Sequence, residues 1–139
     1  MEEKEELPLE TSVEVPIYEL IHEIRGKQVM LDEDLAKIYH VETRRLNQAV
    51  KRNIERFPLE FMFQLTNEEY LNLMSQFVTS SWGGRRKLPF AFTEHGIIML
   101  SSILNSKIAT QVNIAVVKAF ISMRRYIAKP MRKIGFNPD

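Results

Sequence analysis

Asp34-Leu35-Ala36-Lys37-Ile38-Tyr39-His40-Val41-Glu42-Thr43-Arg44-Arg45-Leu46-Asn47-Gln48-Ala49-Val50-Lys51-Arg52 reads as a short helix, a tight turn and a second helix. Leu35, Ile38 and Tyr39 form the inner face of the first helix. In the second, Leu46, Val50, Ile54 and Phe57 recur at spacings of four, four and three, one face of a helix that starts near Thr43 and is stopped by Pro58. The remaining positions of this second helix are almost all Arg, Lys, Asn, Gln or Thr, side chains that hydrogen-bond base edges and phosphates. Small Ala36, apolar Val41 in the turn and Leu46 beyond it are the spacing of a helix-turn-helix. His40 stands where glycine is usual, and histidine is among the residues seen at left-handed φ. From this segment alone, a helix that reads DNA and an ordinary amphipathic surface helix are both open.

Composition narrows the field. The chain has 139 residues, 45% of them hydrophobic, enough for one domain with a core. It has no apolar run long enough to span a membrane, and its first residues are acidic where a secretory signal would be basic and then apolar. With no cysteine there is no disulfide scaffold and no thiolate metal site, which fits a reducing, cytoplasmic setting. His22, His40 and His95 show no metal-ligand spacing. Net charge is +1, yet it is unevenly placed. Residues 1–23 hold eight acids and one base, −7, and residues 24–139 hold eighteen bases and ten acids, +8. A basic body attracts phosphate, and an acidic leading segment can screen it or compete for it.

Around the central stretch the elements fall as follows. Residues 1–16, with six glutamates and two prolines, are expected to be a disordered acidic tail. Residues 17–24 and 28–31 are β-rich and flank Arg25-Gly26-Lys27, a hairpin with its turn at the glycine. Asp32 is expected to cap the first helix, with Glu33 and Asp34 at the positive end of its dipole. Residues 61–65 are a strand, and Thr66-Asn67-Glu68-Glu69 is a capping box opening a helix to about Phe77. Residues 88–92 are a strand, Thr93 caps a helix over 94–104, and a last helix runs from Lys107 to about Lys129, closed by Pro130. Residues 131–139 are expected to be loose.

Two further features bear on partners. Residues 80–87, Ser80-Ser81-Trp82-Gly83-Gly84-Arg85-Arg86-Lys87, combine glycines that let backbone approach a phosphate with three cations and several donors. Such a loop fits a DNA backbone or minor groove, or is an exposed hairpin with a solvated charge run. The last helix has two apolar faces. Ile108, Val112, Ala115, Ala119, Met123 and Ile127 form one, and Ile114, Val117 and Ile121 form the other, so the helix is either central or a subunit contact. A homodimer through it would suit paired half-sites. Catalysis is not expected. Helix capping explains Asp32-Glu33-Asp34, the neighbours Glu94 and His95 face different ways, and no nucleotide-binding glycine motif or cofactor motif occurs.

Taken together, the runs 24–29, 34–53, 56–65, 79–86 and 91–96 closely resemble the KilA-N DNA-binding domain of phage antirepressor-type and related bacterial regulatory proteins. The resemblance covers residues 21 to about 127. It implies DNA binding and a regulatory role, and a compact α+β domain over residues 17–130 with an N-terminal hairpin, a helix-turn-helix-like unit, short strands and a long C-terminal helix. Double-stranded DNA is the implied partner, with no cofactor or metal. The expected base contacts are Thr43, Arg44, Arg45, Asn47 and Gln48. Lys51, Arg52, Ser80, Ser81, Arg85, Arg86 and Lys87 are expected on phosphates. A protein-interaction module acting through the last helix is the rival reading, and a metal-dependent nuclease built on the acid cluster is a weaker one.

Overall fold

The computed structural model describes residues 17–76 and 87–135, with side-chain surroundings as far as Arg125. Four strands form one antiparallel sheet in the order β1-β2-β4-β3: β1 His22–Ile24, β2 Lys27–Leu31, β3 Met62–Gln64 and β4 Phe90–Thr93. The expected hairpin is β1–β2. Its turn is tighter than expected, because Arg25 (φ 58) and Gly26 (φ 73) are both left-handed, the two-residue turn whose twist matches the strands it joins. The first arm is also shorter. Residues Ile17–Leu20 form a 3-10 turn that buries Ile17.

The period of two along the strands separates two cores. Met30, Met62 and Phe92 face one side, where they meet Leu35, Leu46, Ile97, Val112 and Phe120. Val29, Leu31, Phe63 and Ala91 face the other and pack with Leu65 and Leu73. The larger core is roofed by α1 (Asp32–Tyr39), α2 (Thr43–Arg52), α4 (Glu94–Leu104) and α5 (Lys107–Gly135). The smaller is closed by α3 (Asn67–Met74).

α3 opens on the expected capping box, with Thr66 Oγ1 accepting from Glu69 N and Glu69 Oε1 accepting from Thr66 N. Glu69 also takes a bidentate contact from Arg25, at 2.7 and 3.1 Å, and the same guanidinium lies 4.1 Å over the Phe63 ring. Hydrogen bonding to Arg25 holds the Glu69 carboxyl below the ordinary glutamate range. The hairpin turn is thereby tied to a helix more than forty residues away.

α1 and α2 are joined by residues 40–42. His40 takes the left-handed conformation (φ 62) expected of it, and its N–H and that of Val41 return to Lys37 and Ala36. Val41 is half-buried against the core. Beneath the joint, the buried Tyr39 hydroxyl shares a 2.7 Å hydrogen bond with Ser101 Oγ. Burial pushes the Tyr39 phenol up to about 12, against an ordinary 10. The neutral phenol is therefore favoured by folding. This stability is complete below pH 10 and falls as pH rises towards 12, because the unfolded chain ionises first; the full loss is about 3 kcal/mol. Urea titrations at pH 9 and above should show Tyr39→Phe losing less stability with rising pH than the parent does.

Three boundaries differ from expectation. α2 stops at Arg52 instead of continuing to Phe57. Asn53 Nδ2 takes the carbonyl of Ala49 at 2.8 Å, the acceptor its own N–H would use, and that N–H moves to Val50. A 3-10 turn, Ile54–Arg56, follows. Phe57 still reaches the core, edge-on to Phe92, but Ile54 is 54% exposed. The last helix passes through Pro130 to Gly135 instead of closing at Pro130; proline removes one intrahelical donor there without ending the span. Asp32 is the first helical residue, not the cap.

Candidate nucleic-acid interface

Leu46, Ala49 and Val50 anchor α2 in the core, and this fixes which side chains face out. At about 100° per residue, Arg44, Arg45, Gln48, Lys51 and Arg52 share an arc of roughly 120° with Gln48 near its centre. All five are exposed. The helix carries four cations and no acid. Among the described residues, Arg44 alone of the four has an ion pair, 3.4 Å to Glu42, between two side chains more than two-thirds exposed, which is too weak to hold it.

Beside α2 lies an open cleft of about 910 Å³. Thr43, Arg44, Asn47, Gln48 and Lys51 line it from α2, Asp32 and Glu33 from α1, and Lys87, Leu88 and Phe90 from β4 and the residues before it. Six of the residues expected at the interface therefore meet in one concavity, including Lys87 from a distant part of the chain. Arg45 and Arg52 sit on the other flank of the helix. They line a second cavity of about 370 Å³, floored by Val41, Leu46, Ala49, Ile103 and Leu104. Ser80, Ser81, Arg85 and Arg86 lie outside the described residues, as does Trp82.

Asn47 differs from its neighbours. It is half-buried, and its Nδ2 donates to Asp32 Oδ2 at 3.0 Å. Asp32 has no exposed surface. Its Oδ1 accepts from Glu33 N at 2.7 Å and its Oδ2 also accepts from Phe90 N at 3.3 Å. One carboxylate thus ties the start of α1, the middle of α2 and the start of β4. Asn47 is tied to the start of α1 by this bond and also lines the cleft. Sequence reading missed this triad, since nothing in the spacing of 32, 47 and 90 brings them together. An acid where a helix begins was the available clue, and capping explained it fully. Among the described residues no group of three or more His, Asp or Glu could hold a metal ion. Among them, too, no helix is long and apolar enough to cross a membrane.

Fold and site together define a small α+β domain that displays an acid-free cationic helix beside an open cleft. Residues 19–103 match the ORF6N domain, well over half of the chain, and the protein belongs to the ORF6N domain family. The match shows the ORF6N family and does not itself show the KilA-N domain expected from the motifs. The match ends before α5, although Val112, Val116 and Phe120 of that helix are fully buried in the main core. No curated protein and no solved structure matches the chain.

Proposed function

We propose that this domain binds duplex DNA as part of a regulator of the phage antirepressor type, to whose domains ORF6N is related. The single observation that carries the reading is the acid-free cationic arc of α2, held outward by three buried apolar residues. A major groove is about 12 Å wide and admits one α-helix. In this reading α1 and α2 act as a helix-turn-helix of the KilA-N kind. Arg44 and Gln48, at the crown of the arc, and Thr43 at the cleft reach base edges. Arg45, Lys51, Arg52 and Lys87 take phosphates, joined by Ser80, Ser81, Arg85 and Arg86. Asn47 acts through Asp32 and orients the helix.

Lys51→Ala should weaken binding to every sequence alike and reduce the slope of log affinity against log salt by about 0.9. Gln48→Ala should instead narrow the gap between preferred and random duplex, by about 1–3 kcal/mol of discrimination. Fluorescence anisotropy at several salt concentrations separates the two effects. Equal, salt-independent affinities across parent and variants would contradict the reading.

One observation favours a second reading, a protein-contact module. On α5, Ile114 is 51% exposed and lies beside half-buried Val117 and Ile121, an apolar face that the described residues leave uncovered. A partner retained after nuclease treatment and released by Ile114→Asp would support it. The same substitution also tests a homodimer formed on this face, by sedimentation.

A further inference from the structure

We infer that the second cavity is a binding site for a small amphipathic anion, a carboxylate carried on an aromatic or branched aliphatic body. The cavity lies on the flank of α2 away from the cleft. Its volume of about 370 Å³ falls within the range of small-molecule sites, roughly 300–1,000 Å³. Val41, Ala49, Ile103 and Leu104 give it an apolar wall, and Arg45 and Arg52 stand at its edge. Among the described residues no acid lines it and neither arginine has an ion-pair partner. Two guanidiniums over an apolar floor match a ligand with one apolar end and one planar anionic end, because guanidinium holds a carboxylate by paired hydrogen bonds. A neutral apolar molecule would leave both cations unused, and a bare inorganic anion would leave the floor wet.

The arginines come from i and i+7 of one helix, two turns apart on the same side. Ile103 and Leu104 come from the end of α4. The site therefore needs the helices packed as they are and is absent from an unfolded chain. Ser106, whose Oγ accepts from Ala109 N at 3.0 Å, places the first turn of α5 at its rim, where the positive end of a long helix adds to the same field.

Phenylacetate is a suitable probe, with phenylethanol as its neutral counterpart and acetate as its anion without a body. Methyl-detected NMR titration of the full chain without DNA should move the Val41, Ile103 and Leu104 methyls with phenylacetate. Phenylethanol and acetate should bind at least about tenfold more weakly. Arg45→Gln with Arg52→Gln, both exposed and outside the core, should remove the preference for phenylacetate over phenylethanol while leaving the thermal midpoint near that of the parent. Three results would overturn the inference: no methyl shift with phenylacetate, equal binding of acid and alcohol, or unchanged binding in the double variant. On the reading of the preceding subsection, phenylacetate should also weaken duplex binding, since both ligands use Arg45 and Arg52. That second readout rests on the DNA reading, whereas the titration without DNA does not, so the two can fail separately.

Discussion

Gly96→Ala should destabilise the domain by about 3 kcal/mol or more, despite exchanging the poorer helix former for the best one. Gly96 is the third residue of α4. A Cβ there would sit 2.0 Å from the carbonyl oxygen of Phe61 and 2.8 Å from its carbon, both backbone atoms. The helix-propensity gain of an exchange from glycine to alanine is about 1 kcal/mol. Overpacking costs about 1–3 kcal/mol where side chains can shift, and here the obstacle is a peptide that cannot rotate aside. That peptide is also fixed from the other direction. Phe61 O accepts from Thr93 N at 3.0 Å, and Thr93 Oγ1 donates to Glu60 O at 2.8 Å. To make room, α4 must part from the segment leading into β3, and α2 rests against α4. Calorimetry should show the midpoint falling by roughly 10 °C or more for a domain of this size, and duplex affinity should fall with it. Gly26→Ala is the internal control. Among the described residues no atom lies within 4 Å of its Cβ and only φ +73 is unfavourable, so the cost should stay near 1 kcal/mol. A Gly96→Ala midpoint no lower than that of Gly26→Ala would mean that α4 and the β3 segment are not in contact as described.

Asp32→Ala should be the second large loss, about 3 kcal/mol. It removes an anion from the first turn of α1 and leaves the Asn47 amide and the Phe90 N–H without their acceptor in a buried place. Each such orphaned group costs about 1–3 kcal/mol, and the dipole contribution adds less than either. Asp32→Asn keeps the shape and divides the effect. Its amide oxygen can still meet Glu33 N, and Asn47 can turn its own carbonyl to the new NH2, but Phe90 N then has no acceptor. About half the alanine cost should remain, read by urea denaturation. The functional consequence differs from that of a cationic variant. Loss of Asp32 loosens the angle at which α2 is presented, so affinity for preferred and random duplex should both fall with little change in salt slope, while Lys51→Ala changes the slope with stability intact.

Where periodicity or local chemistry decides structure, the chain was legible. The capping box at Thr66, the cap at Thr93, the left-handed His40 and the hairpin at Gly26 each depend on a few adjacent residues. The end of α2 was not legible, because the apolar spacing through Ile54 and Phe57 is helical on paper. What ended the helix was one amide, Asn53 Nδ2, competing for a carbonyl, and the order of such a competition depends on where Phe57 finds its place in the core. The cationic face was legible as a set of residue types. Its surroundings were not: Arg45 and Arg52 line the cavity shared with Ile103 and Leu104 of α4, and Arg44, Gln48 and Lys51 line the cleft shared with Phe90 of β4. The partnership of Asp32, Asn47 and Phe90 spans 58 residues and leaves no pattern in any window of sequence.

On the proposed reading, the exposed arc of α2 enters a duplex groove. Random-site selection with the full chain, followed by anisotropy titration of the selected duplex and a scrambled one, tests it most directly. A motif should be recovered, and a triple variant, Arg44→Ala with Gln48→Ala and Lys51→Ala, should fold like the parent yet bind the selected duplex about a hundredfold more weakly or worse. Enrichment of no motif, with the triple variant and the parent binding both duplexes equally, would contradict it.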